Sequence, residues 1–143
     1  MVDNMEVSMT DYEVKSIEPM KIIVKADDEN IVIRIFFVPI SIYISNDQKV
    51  ISPIVNSVVS VKTDKPKFGE PCTSSKVMSE KPSRIEKYEI VNEGSTVVVI
   101  NDKEFIIKAK ITNLNIFTTL RDNFGNPCVN VSWVVLASAF RNS

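Results

Sequence analysis

Histidine is missing from all 143 residues. Its absence excludes Ser-His-Asp and Cys-His nucleophile constellations, imidazole acid–base catalysis and nearly every catalytic zinc site. Cysteine is almost missing too. Cys72 and Cys128 are too few for a disulfide framework of the small secreted kind, or for a tetrahedral structural zinc site within one chain. Glycine occurs three times, and neither GxxxxGK[ST] nor GxGxxG is present, so no phosphate-cradling loop is encoded. The acidic stretch DDEN at 27–30 lacks the spacing of a calcium loop. No apolar run approaches the roughly 20 residues of a spanning helix, and the longest, IFFVPISIYI at 35–44, is interrupted by Pro39. The N-terminus, MVDNMEVSMTDYEV, is polar and acidic and has no apolar signal region, so a cytoplasmic protein with no membrane partner is expected.

What remains is ordinary for a globular chain: 44% hydrophobic and 24% charged residues, enough for one domain with a real core. The net charge of −1 provides no global field for nucleic acid or an anionic surface. It conceals a polarity, however. Residues 1–30 carry eight acids against three lysines, whereas residues 62–87 carry seven basic side chains against four acids. Such blocks ordinarily face water, and they also give two ends of the chain, or two neighbouring chains, a reason to attract.

Period-two alternation of Ile, Val, Thr, Phe and Tyr dominates, with turns built on Asn, Asp, Ser and Pro. The spacing predicts an all-β domain, a sandwich or partly open barrel of about eight to ten strands. Strands are expected at 20–26, 31–38, 49–63, 87–91, 96–100, 104–111 continued by 113–120, and 128–140. The segment 31–38 is apolar on both faces apart from Arg34, as a central strand should be. Apolar parity switches across Pro39, which predicts a bulge or a corner there. Pro53 places the first half of its strand at an edge. The strand at 128–140 becomes apolar on both sides, which suggests an inner strand or one covered by another subunit. Residues 1–10 read as a flexible arm, 11–143 as a single β domain, and 64–87 as a long polar loop.

The pentapeptide FGEPC at 68–72 returns as FGNPC at 124–128. Asn-Asp pairs at 46–47 and 101–102 precede the two cysteines at similar distances, so half-repeats over 31–72 and 86–128 are candidates. Coincidence is the competing explanation, since Gly-x-Pro is common turn chemistry. The two cysteines are read either as free, small buried hydrophobes or as a disulfide joining the two turns.

No enzymatic activity and no cofactor or metal are expected, because the acidic clusters fall in turns, where carboxylates bond nearby backbone. The expected role is binding or assembly, through self-association into a homo-oligomer. The alternative is a single-stranded nucleic-acid binder using Lys62, Lys65, Lys67, Phe68, Lys76, Lys81 and Arg84 of the basic segment, with Lys108 and Lys110 on a nearby strand face. Phe68 is read first as a turn anchor and only second as a stacking platform. A carrier of a small apolar ligand is a further alternative.

Overall fold

The computed structural model describes residues 6–139. Ten strands and one short helix follow in the order β1 (Val7–Thr10), β2 (Glu13–Glu18), β3 (Met20–Ala26), β4 (Glu29–Ser45), β5 (Ile51–Thr63), β6 (Glu70–Pro71), α1 (Ser74–Ser79), β7 (Ile85–Asn92), β8 (Ser95–Ile100), β9 (Lys103–Arg121) and β10 (Pro127–Ala139). They form two five-stranded sheets that pack as a sandwich and do not close into a barrel. In the first sheet β4 is flanked by β5 on one side and by β3 and then β1 on the other, with β7 beyond β3. In the second, β9 is flanked by β10 on one side and by β8 and then β6 on the other, with β2 beyond β8.

The two halves of the chain thus pair alike. Each has a long central strand, β4 or β9, hairpinned to an edge strand, β5 or β10. Each lends one strand to the other half, β2 to β8 and β7 to β3. The hairpins that lead into the long strands turn on two residues in the left-handed region, Asp27 and Asp28 in one half and Asn101 and Asp102 in the other. Asn and Asp tolerate that conformation best among residues with a side chain, and two-residue hairpins of this twist require it. In this correspondence Asn101-Asp102 answers Asp27-Asp28. The register drawn from the two Asn-Asp pairs instead sets Asn101-Asp102 against the β4–β5 turn at 46–47, and so lays the edge strand β5 over the central strand β9.

Alternation places one face of each sheet inward. Met20, Ile22 and Val24 of β3, Ile31, Ile33, Ile35 and Phe37 of β4, and Ile116 of β9 form one buried cluster. Ile42, Ile44, Ile51, Val98, Ile100, Phe105 and Ile107 form a second. Each fully buried side chain of this kind contributes about 1.5–3 kcal/mol relative to exposure. The positions that a ligand carrier would turn toward a cavity therefore pack against one another. At the side where the edge strands β5 and β10 approach, Trp133 meets Phe37 edge-on at 5.1 Å between ring centroids. Its indole N–H donates to Ser57 Oγ at 3.2 Å.

Some expectations change. Residues 7–10 of the supposed arm form β1 along β4, while residues 1–5 lie outside the described residues. Pro39 marks a bulge and not a corner: pairing with β5 shifts between Pro39 and Ser41, Ile40 is extruded, and β4 continues in the same sheet. Among the described residues β10 pairs only with β9, so it is an edge strand and not an inner one. Residues 64–87 are not one structureless loop, since they contain β6 and α1 and the start of β7. Helical periodicity gave no sign of α1, whose six residues bury no side chain.

Candidate functional site

The two FGxPC segments meet in space at one end of the sandwich. The Lys67 N–H donates to the Gly125 carbonyl at 3.2 Å, Glu70-Pro71 pairs with Leu120-Arg121, and Cys72 is disulfide-bonded to Cys128 with a Cα separation of 5.7 Å. Gly125 sits at φ +87°, where a Cβ would stand 2.9 Å from the Lys67 nitrogen. Only glycine allows the two strips of backbone to lie this close. The turn at 122–126 is fixed by Asp122, whose carboxylate accepts from the N–H groups of Phe124 (2.8 Å) and Asn126 (3.0 Å). Phe68 and Phe124 are not turn anchors. They are 104% and 82% exposed and face a shallow cleft of about 240 Å3 lined also by Pro66, Lys67 and Asn123.

Beneath this surface lies a buried ion pair. Glu29, the first residue of β4, receives both terminal nitrogens of Arg121, the last residue of β9, with NH1 at 2.8 Å from Oε1 and NH2 on Oε2. The Thr63 hydroxyl, at the end of β5, donates to Oε1 at 2.8 Å, and the Lys67 ammonium lies 3.6 Å from Oε2. Arg121 also donates to the carbonyls of Thr118 and Gly125 at 2.9 and 3.2 Å. Burial pushes the Glu29 carboxyl up, but hydrogen bonds from Arg121 and Thr63 and the charges of Arg121 and Lys67 outweigh it and hold the group below the usual glutamate range. Its lone pairs are directed at donors already in place. The constellation therefore ties the starts and ends of three strands across the two sheets, and offers no free base.

The basic residues singled out from the sequence are not gathered here into a groove. Lys65 pairs with Asp28 at 2.8 Å, Lys76 with Glu70 at 2.7 Å, and Lys108 with Glu93 at 3.6 Å. Lys81 and Arg84 are exposed around the turn into β7, and Lys110 is exposed on the outer face of the second sheet. Lys62 lies apart from them, on the outer face of the first sheet opposite Val32.

That outer face carries a constellation that sequence reasoning missed. Cross-strand partners share a face, and here Lys21 lies opposite Arg34 and Lys25 opposite Lys87. Among the described residues none of Lys21, Lys25, Arg34, Lys62 or Lys87 is in an ion pair. Like charges set directly opposite one another destabilise a sheet. Beside them runs an apolar strip: Ile23, Val32, Phe36 opposite Val58, Val38, Ile54, Ile40 at the bulge, and Tyr43 opposite Met9. Ile40, Ile54, Val58 and Met9 are each at least half exposed. On the corresponding part of the second sheet, α1 covers Phe117 and Leu120. The missed signal was in the alternation itself: both parities of 31–38 are apolar, but the basic partners come from β3, β5 and β7, and only pairing brings them together.

Among the described residues no group of three or more metal-ligating side chains is gathered in one place, and no helix is long and apolar enough to cross a membrane. Comparison with known protein families, with curated proteins and with solved structures finds no match.

Proposed function

We propose that the chain is a non-catalytic assembly module that self-associates through the outer face of its first sheet. The supporting observation is the uncovered apolar strip running the length of β4, with unpaired cations at one end. A two-fold that stacks two copies with their strands antiparallel buries both strips, satisfying the isologous geometry of a dimer. A 17-residue strand extends for more than about 50 Å, and at most four strands lie side by side, roughly 20 Å across. Burying most of that face, about 1,000 Å2 in plan, meets the ~800 Å2 per partner of a stable interface.

A second reading is favoured by one feature of the same face, the five cations gathered at the end of the strip that carries Phe36, which suits a single-stranded nucleic acid. One experiment separates the two. Sedimentation of the full chain at low and high salt, with and without an oligothymidylate, is compared with the Ile54→Glu/Val58→Glu variant. Assembly predicts a dimer that persists in salt and dissociates at least about tenfold more readily in the variant, with an unchanged melting temperature. A wild-type monomer at tens of micromolar rejects it, and oligonucleotide affinity that falls steeply with salt installs the second reading. Under this proposal the cytoplasm remains the expected compartment, and the disulfide makes its redox state part of the question.

A further inference from the structure

We propose that the Cys72–Cys128 disulfide is a thiol-exchange site, at which small or protein-borne thiols release the strap of residues 73–82 from the outer face of the second sheet. The two sulfurs differ in access. Cys72 is exposed and borders an open cleft of about 290 Å3 with Val77, Met78, Val129 and Asn130. Cys128 is buried against Phe117 and Leu120. An incoming thiolate therefore reaches the Cys72 sulfur. It forms a new S–S bond there, the Cys72–Cys128 bond breaks, and Cys128 departs as a thiolate that takes a proton from water. A second thiol attacks the mixed disulfide and frees Cys72. Two electrons and two protons have then passed to the protein, and the two attacking thiols have become one disulfide.

The strap depends on that bond. α1 has six residues and buries none of them, and Val77 is partly buried against Phe117, Leu120 and Cys128. Helices this short do not persist in water by themselves. On its far side the strap is anchored by Ser83, whose N–H donates to the Ile116 carbonyl at 2.7 Å and whose hydroxyl meets Thr118 Oγ1 at 2.8 Å. Between the anchors there are two exposed contacts, the Thr119 hydroxyl to Glu80 at 3.2 Å and the Lys76–Glu70 ion pair at 2.7 Å back to β6. Loss of the first anchor frees the strap up to Ser83 and uncovers Phe117 and Leu120, now 3% and 1% exposed.

The full oxidised chain is treated with glutathione or dithiothreitol at neutral pH without denaturant, and followed by mass spectrometry and hydrogen exchange. The expected result is a glutathione adduct on Cys72 with Cys128 free, and a fall in the protection of 73–82 and 115–121 at least about tenfold larger than the fall in β3 and β4, which stay folded. A bond that reduces only when β3 and β4 unfold overturns the proposal, and so does a strap that stays as protected as β3 and β4 after verified reduction. Cys72→Ser should show the released strap without reductant. If that variant does not fold, reduction of the wild-type chain still decides.

Discussion

The two ends of the sandwich use the same backbone and different chemistry. At one end the Asp27-Asp28 hairpin meets the 122–126 turn, and at the other the Asn101-Asp102 hairpin meets the β4–β5 turn. All four hairpin residues take positive φ, between 47° and 64°. The residue after each hairpin opens a long strand, and the residue before each facing turn closes one. At the first end these are Glu29 and Arg121, both buried and joined. At the second they are Lys103 and Ser45, and Lys103 donates to the Gln48 carbonyl at 3.3 Å and lies over the Phe105 ring at 5.7 Å, with Asn101 donating to the Gln48 side chain at 3.3 Å. Lys103 stays partly in water and needs no counter-charge. Glu29 is dry, so it exists as an ion only because Arg121, Thr63 and Lys67 surround it. The turn is what the two ends share; the clamp belongs to one of them, and that is also the end carrying the disulfide and both FGxPC segments.

Removing the clamp should have the largest effect. Glu29→Gln leaves Arg121 buried and uncompensated, and is expected to cost about 3–5 kcal/mol in urea unfolding, whereas Glu29→Leu/Arg121→Met should recover much of the loss. The same group sets an acid limit. A carboxyl held down in the fold supplies stability above its unfolded value, near 4.5, and loses it as pH falls through the folded value. Wild-type stability should therefore drop below that pH, and part of the drop should vanish in Glu29→Gln. The disulfide comes next. It closes a separation of 56 residues, and Cys72→Ser/Cys128→Ser should cost about 2–4 kcal/mol. If the double variant is as stable as the wild type, the tether adds nothing beyond the parallel pairing of β6. The far end is expected to respond least. Gln48→Ala and Lys103→Ala should each stay within about 0.5 kcal/mol, and a larger loss at either would erase the contrast between the ends.

Strands and most of their limits were legible because alternation is local: Met20–Ala26 was read to the residue, and Pro39 announced its bulge through a change of parity. β1 and β2 were missed because their sequences are polar and mostly exposed, so burial leaves no imprint on them. Of the candidate site, the FGxPC pair was visible as a repetition, but not as a contact. Phe68 was read as an anchor because phenylalanine usually is one, and its exposure, like that of Phe124, depends on what the opposing turn leaves open. The basic face was invisible, since Lys21, Arg34, Lys62 and Lys87 are neighbours only through pairing.

By itself the sequence determined an all-β chain, its hairpin turns, and the absence of imidazole chemistry, since each follows from residue identity or from spacing of two. Tertiary structure decided which strands are edges, that Glu29 finds Arg121 across the sandwich, that the two cysteines join, and which outer face is left bare. Those outcomes turn on distances between residues far apart in the chain, and no local period encodes such distances.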